Sequence, residues 1–353
     1  MIKEKRIRVL VCGVTFGKMY INAILASNEK FELSGILSSG SKASKILAER
    51  YNVPLYTNVD DIPVDKFDLA CVVIRSTVVG GKGTEIALNL LEKGISVIQE
   101  QPVHYNDMIK CLRTAYKKKV LYYINNFYRD LDSVRKMFKT VKEVGINSKI
   151  LSIEASSSVQ VLFPLVDILG EILDGFADWQ FSEKINSNNY PYSIITGHAH
   201  DIPIVLQIQN HINSQSPDSD ALVLHRIVIT FDTGTLILTD SNGCLIWIPR
   251  ICVIRGDLEK DLPNSIKEYP PYQVIYNQPV NTLQEIYQYC WPKSIQNTLE
   301  RIYVRLINKT IDNKVDQRQI VSCKVWAELG NILGVSEEIP ESIKYKKSLY
   351  LNN

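Results

Sequence analysis

Residues 69–104 read LACVVIRSTVVGGKGTEIALNLLEKGISVIQEQPVH, and this stretch decides the fold. Leu69 to Ile74 is a short apolar run rich in β-branched residues, the pattern of a buried parallel strand. Arg75-Ser76-Thr77 follow at its carboxyl end. Gly80, Gly81 and Gly83 then form a loop into an amphipathic helix that ends at Lys93, with Gly94 as its stop. Ser96 to Gln99 is the next strand, and it runs out into Glu100-Gln101-Pro102-Val103-His104. This is one β-α-β unit with polar residues where both strands end, the edge at which open α/β sheets bind ligands.

Working back from it, Ile7 to Cys12 (IRVLVC) is a strand that enters Gly13-Val14-Thr15-Phe16-Gly17 and then a helix from Lys18 to about Ser27. Strand, glycine turn and helix are the setting of a dinucleotide fingerprint. The first glycine permits the tight turn, and the helix N-terminus offers free N–H groups to a pyrophosphate. Thr15 stands where a second glycine is usual, and Gly13 and Gly17 are one residue closer than usual, so an ordinary βα turn remains the alternative. The next strand, Phe31 to Leu37, ends in Ser38-Ser39-Gly40-Ser41-Lys42, with Ser44 and Lys45 beyond. NAD enzymes place an acid here for the ribose 2′-hydroxyl, yet none occurs from Gly35 to Ala48. Hydroxyls and lysines suit a 2′-phosphate instead, so the expected cofactor is NADP(H). Ser41 also reads as the N-cap of a helix from Lys42 to Tyr51.

Working forward, a helix starting at Asn106-Asp107 ends near Lys117-Lys118-Lys119. Val120 to Ile124 is a sixth strand, which delivers Asn125-Asn126-Phe127-Tyr128 to the ligand edge. The alternation predicts an α/β fold: a doubly wound Rossmann domain over residues 1–128. After Tyr128 the pattern changes. Helices over Leu131–Val144 and Phe163–Leu173, a strand over Lys149–Val159, a hairpin of Val223–Phe231 with Thr235–Trp247, and a late helix over Ser294–Ile307 predict an α+β domain with a mostly antiparallel sheet over residues 129–353. Arg301, Arg305 and Lys309, four apart, read as a solvated face of that late helix, with docking to an acidic partner as the minority alternative.

With 353 residues the chain is long enough for two cores, and 45% hydrophobic with 22% charged residues is an ordinary globular composition. A net charge of +2 implies no nucleic-acid partner. The apolar runs are too short to span a bilayer, and Met1–Arg6 lacks the apolar core of a signal peptide. Seven cysteines without a C-x-x-C pair argue against a metal site and for reduced thiols in the cytoplasm. Cys12 and Cys71 lie in predicted strands and read as small core residues.

Three residues at the strand ends qualify by position for proton work: Gln101, His104 and Tyr128. An amide cannot transfer a proton and only hydrogen-bonds. His104 is of the residue type used most often as a general acid, and Tyr128 is a donor if a cation assists it. His104 as a helix start and Tyr128 as a domain-seam aromatic are the structural alternatives. His198 and His200 read as structural or solvent-exposed.

Val11–Tyr20 (VCGVTFGKMY), Gly40–Ser44, Cys71–Gly83 (CVVIRSTVVGGKG), Val97–His104 (VIQEQPVH), Tyr123–Tyr128 and Val161–Gly170 (VLFPLVDILG) together resemble the glucose–fructose oxidoreductase/inositol dehydrogenase/biliverdin reductase superfamily. Within it they are most similar to the thiazolinyl imine reductases of siderophore assembly lines, of the yersiniabactin and pyochelin type. The resemblance implies NADPH-dependent reduction of a thiazoline C=N to a thiazolidine, on a thioester held by the carrier domain of a nonribosomal peptide synthetase. It implies a homodimer through the second domain's sheet. It places the cofactor on Gly13, Thr15, Phe16, Gly17, Ser38, Ser39, Gly40, Ser41, Lys42, Ser44, Arg75, Ser76, Glu100, Gln101 and Pro102. The substrate falls on Gly80, Gly81 and Tyr128. Superfamily sugar dehydrogenases usually carry lysine in a Glu-Lys-Pro motif, where this chain has Gln101, which weighs against sugar oxidation. The position also differs from the histidine expected in the yersiniabactin-type enzyme. Tyr128 is therefore the first candidate acid and His104 the second. A sugar or small-carbonyl dehydrogenase and a non-catalytic NADP(H)-binding regulator are the competing readings.

Overall fold

Each apolar run of the first 130 residues is too short to be a stable helix and is flanked by polar turns, so it settles as a strand whose side chains are covered on both faces. In this computed structural model these strands are β1 (Ile7–Cys12), β2 (Phe31–Leu37), β3 (Leu55–Tyr56), β4 (Leu69–Val72), β5 (Ser96–Glu100) and β6 (Tyr122–Asn125). They form one parallel sheet in the order 3-2-1-4-5-6. The structure describes residues 6–74, 81–186, 190–217, 219–251, 270–280, 282–308, 310 and 312–339. Val9 to Cys12 and Leu69 to Val72 expose no surface. The connections are α1 (Gly17–Ala26), α2 (Lys42–Tyr51), α3 (Lys82–Glu92) and α4 (Tyr105–Lys118). Gly94 takes φ +81° just beyond α3, the left-handed stop that favours glycine. The strand order reverses direction at β1, between β2 and β4, which opens a crevice at the carboxyl ends of β1 and β4.

The second unit holds α5 (Asp132–Gly145), β7 (Ile150–Ser158), α6 (Leu162–Ile172), β8 (Gln180–Phe181), β9 (Ser193–Ala199), β10 (Ile202–Gln209), β11 (His211–Ile212), β12 (His225–Phe231), β13 (Gly234–Leu238), β14 (Leu245–Pro249) and β15 (Gln273–Tyr276). Its eight-stranded sheet runs 15-14-13-12-7-10-9-8, antiparallel except where β7 meets β10. A short parallel bridge joins β11 to β16 (Glu337–Glu338). The single strand expected over Thr235–Trp247 is two: the Gly243 N–H donates to Asp240 O at 2.8 Å and turns the chain between β13 and β14. The run Asp240-Ser241-Asn242-Gly243 is a turn signal that marks this break.

Two long late helices follow, α7 (Trp291–Asn308), entered through a short helical turn at Leu283–Glu285 and a π-turn at Ile286–Cys290, and α8 (Asn313–Leu333). The chain divides into Met1–Leu131 with Val280–Ala327, and Asp132–Pro279 with Glu328–Asn353. This differs from the expected division at residue 128, because the chain returns to the first unit after residue 279. The stripe Ile295, Leu299, Ile302 on α7 is buried, and α7 packs on α1. An amphipathic pattern reveals an apolar stripe but not which sheet it covers.

Candidate active site at the carboxyl edge of the first sheet

The turn after β1 is built for close approach. Gly13 has φ +93°, and a Cβ there would lie 2.5 Å from the Val73 carbonyl oxygen. Thr15 is exposed. Phe16 precedes α1 without a side-chain cap, so the first N–H groups of α1 have no side-chain partner there and present positive dipole to the crevice. Gly17 is buried against Val11. At the end of β2, Ser38 Oγ accepts from Gly40 N at 3.3 Å, and Gly40 has φ +78°. Ser39, Ser41 and Lys42 are exposed. Ser41 caps α2 as expected, its Oγ accepting from Ser44 N at 3.3 Å. Ser44 is buried and its hydroxyl donates to Ser41 O at 2.8 Å, so it braces the loop rather than facing a ligand. Gly81 directly precedes α3, and its carbonyl accepts from Thr84 N at 3.0 Å. Arg75, Ser76 and Gly80 lie outside the described residues.

β5 and β6 bring the remaining candidates together, with Glu100 and Asn125 paired in register. The Tyr20 hydroxyl, from the buried face of α1, donates to Glu100 Oε2. Asn125 Nδ2 donates to that hydroxyl at 2.5 Å and reaches Glu100 Oε2 at 3.5 Å. Burial pushes the Glu100 carboxyl up to about 8, against the lowering effect of its bonds from Tyr20 and Asn125. Burial, and then the Glu100 charge, pushes the Tyr20 phenol well above its ordinary value. Gln101 Oε1 and Asn125 Oδ1 are buried and have no hydrogen-bond partner among the described residues. Unmatched acceptors of this kind cost free energy until a donor arrives. The Gln101–Pro102 peptide is cis.

His104 directly precedes α4 and caps it, its Nδ1 accepting from Asn106 N at 3.3 Å. The helix-start role is therefore real, and it leaves Nε2 as the remaining ring nitrogen. Tyr128 sits in a 3₁₀ turn, Phe127–Asp130, and is 6% exposed. Its ring stacks on Phe127 at 4.1 Å between centroids and meets Trp291 of α7 at 6.0 Å. Phe16 completes the wall, 5.4 Å from Phe127 and 6.1 Å from Trp291. Tyr20 and Trp291 were not foreseen. Tyr20 carried a usable signal, an aromatic one turn into the helix after the glycine turn; Trp291, far along the chain, carried none.

The late-helix reading needs correction. Arg301 Nη2 lies 2.7 Å from Asp130 Oδ2, and Arg305 Nη2 lies 3.2 Å from Asp316 Oδ1. Both guanidinium groups are thus paired within the first unit: Arg305 is largely covered, so the solvated-face reading fails there, whereas Arg301 reaches Asp130 while its side chain stays 35% exposed. Lys309 lies outside the described residues. In the second unit His200 Nε2 is 3.0 Å from Gly175 O, a structural placement. Among the described residues no three His, Cys, Asp or Glu side chains group to hold a metal. No helix among them is long and apolar enough to cross a membrane.

The residues present fit a nicotinamide dinucleotide. The glycine turn and open α1 N-terminus fit a pyrophosphate. The orphan acceptors Gln101 Oε1 and Asn125 Oδ1 fit the N–H donors of a carboxamide.

Comparison with known proteins agrees. Residues 7–126 match the model of the GFO/IDH/MocA oxidoreductase family, NAD-binding Rossmann fold. Residues 148–248 match the C-terminal domain model of Irp3-like thiazolinyl imine reductases. Levoglucosan dehydrogenase in complex with NADH shares the fold at a TM-score of 0.69 and 10% identity, over 93% of this chain and 97% of that one. The dehydrogenase MviM from Clostridium difficile does so at 0.65 and 13%, over 93% and 99%. Myo-inositol 2-dehydrogenase from Lactobacillus plantarum gives 0.64 and 11%, over 93% and 97%. No curated protein sequence matches the chain.

Proposed function

We propose, for a chain whose residues 7–126 match the GFO/IDH/MocA oxidoreductase model and whose residues 148–248 match the Irp3-like C-terminal model, that it reduces a thiazoline C=N to a thiazolidine with NADPH. The observation that carries this reading is the Irp3-like match over residues 148–248. The substrate is a thioester on the carrier domain of a nonribosomal peptide synthetase, in siderophore or related biosynthesis. The enzyme works in the cytoplasm as a homodimer.

When bound, the cofactor supplies the hydride. The chain holds and orients. Gly13 and the N-terminus of α1 receive the pyrophosphate, with Thr15, Phe16 and Gly17 shaping the turn. Ser39, Ser41 and Lys42 receive the 2′-phosphate, where an acid would repel it. Gln101 and Asn125 accept from the carboxamide and fix which face of the ring is presented. The imine carbon gains hydride, and the nitrogen gains a proton from the Tyr128 hydroxyl, which recovers it from solvent. Gln101 supports an acid elsewhere, because an amide has no proton to give at this position.

The test is oxidation of NADPH by the full chain with a synthetic aryl-thiazoline thioester, with mass spectrometry of the product. A product richer by two hydrogens, formed only with NADPH, is expected. NADPH binding without product, together with NADP⁺-dependent oxidation of a sugar, would replace this reading with the sugar dehydrogenase one that the structural neighbours favour. Binding with neither activity would leave a regulator.

A further inference from the structure

The turn that carries Tyr128 is poorly held by its own backbone. Its internal bonds, Arg129 N to Asn126 O and Leu131 N to Tyr128 O, are both long at 3.3 Å. Asn126 Oδ1 caps it locally, accepting from Tyr128 N at 3.2 Å, and a second set of bonds comes from α7, more than 160 positions along the chain. Ser294 Oγ donates to Phe127 O. Asn297 Nδ2 donates to Asp130 O at 3.1 Å. Thr298 Oγ1 and Arg301 Nη2 each donate to Asp130 Oδ2 at 2.7 Å. Arg301 Nη2 also reaches the hydroxyl of buried Tyr123 at 2.9 Å, and its guanidinium lies 5.3 Å from that ring.

Residues 294, 297, 298 and 301 are spaced i, i+3, i+4, i+7, one face of a helix. This polar stripe runs beside the apolar stripe of Ile295, Leu299 and Ile302. Ser294 and Thr298 are 1% exposed and Asp130 is 6% exposed. Burying such groups costs free energy unless each is bonded, and apolar residues would bury the same face at less cost. What polar bonds add is direction: they fix where the turn's carbonyls and carboxylate sit, and so where the turn's side chains point.

We propose that Arg301 and Thr298 are positioning residues for Tyr128, acting through Asp130. This rests on reading Tyr128 as the acid. The guanidinium and hydroxyl converge on one carboxylate oxygen two residues from the tyrosine. Trp291, at the start of the same helix, sets the other limit on its ring. A proton donor has to be held to within a fraction of an ångström of its acceptor, and an error of about 1 Å costs on the order of a hundredfold in rate.

The test uses the full chain with Thr298→Val, Thr298→Ser, Arg301→Met and Tyr128→Phe, alone and with Tyr128→Phe combined with each clamp variant. Steady-state kinetics are paired with amide hydrogen exchange of residues 127–131 in the cofactor-free protein. Thr298→Val and Arg301→Met are expected to lower kcat roughly tenfold to a hundredfold, with KM for NADPH unchanged. Both should speed exchange in the turn. Thr298→Ser should restore both readouts, and neither clamp change should add loss to Tyr128→Phe. Full kcat in Thr298→Val and Arg301→Met beside an impaired Tyr128→Phe would overturn the clamp and leave the acid. Full kcat in Tyr128→Phe would overturn the acid; the clamp would then fall if exchange at 127–131 matched wild type.

Discussion

Glu100 offers the sharpest test of the buried cluster. Its carboxyl titrates at about 8 in the folded protein against 4.5 as a free side chain, because burial disfavours the charge more than Tyr20 and Asn125 favour it. A carboxyl raised in this way binds more protons folded than unfolded between those two values. Its stabilising protonation is fully present below the unfolded value and is lost as pH rises through the folded one. Stability should therefore fall with pH by at most about 1.4 kcal/mol per unit. His225 acts in the opposite sense at lower pH: burial lowers it from 6.5 to about 4, so stability rises with pH until about 6.5 and is then flat in this group. The clean window is from about 6.5 to 8, where Glu100 alone of these two titrates and should cost about 1–2 kcal/mol. Glu100→Gln keeps the shape and an acceptor for Tyr20 but cannot ionise. Urea unfolding of the cofactor-free protein, followed by tryptophan fluorescence at half-unit pH steps, should show wild type weakening across that window and Glu100→Gln level. Parallel profiles would refute the reasoning, and would mean that Glu100 is ionised in the folded state.

Other outcomes follow from the same geometry. Gly13→Ala would place a Cβ 2.5 Å from Val73 O at a positive φ; a loss of about 1–3 kcal/mol is expected by thermal unfolding, and wild-type stability would contradict the turn. Replacing Ser41 and Lys42 together by Ala should weaken NADPH at least tenfold, each lost charge-assisted bond being worth about 1.5 kcal/mol or more, while sparing NADH; equal losses in fluorescence titration would remove the 2′-phosphate assignment. Tyr128→Phe should lower kcat by about 10²-fold or more with NADPH affinity unchanged. If His104→Ala alone carries such a loss, the acid is His104.

Much of the first unit was legible because its signals are local. The β-branched runs, the glycine after β1, Ser41 before α2 and Gly94 after α3 each act within a few residues, and each fell where expected. The second sheet was legible in kind but not in count: β9, β10 and β15 were not foreseen, although Pro191 precedes β9 and Pro270-Pro271 and Pro279 bracket β15. The site was legible at the strand ends, where topology alone places side chains. It was opaque wherever a contact is non-local: Tyr20 on Glu100, Trp291 on Tyr128, and Arg301 turned back onto Asp130. Spacing on α7 showed a basic row four residues apart, but not that Asp130, more than 160 positions away, pairs with Arg301, nor that Asp316, on the next helix, pairs with Arg305.

The return of residues 280–327 to the first unit has a consequence for how the protein is made. The 148 residues from 132 to 279 separate the two parts of that unit. At about 5–20 residues per second on the ribosome, the first sheet waits roughly 9–35 s for the whole of α7, which ends at Asn308, to be made. Until then the surface that Ile295, Leu299 and Ile302 will cover is open, and the turn bearing Tyr128 has no clamp. A gene cut after residue 128 would therefore yield an unfinished cofactor domain, prone to chaperone capture. Exchanging such domains between related enzymes requires moving two separate stretches of the gene together.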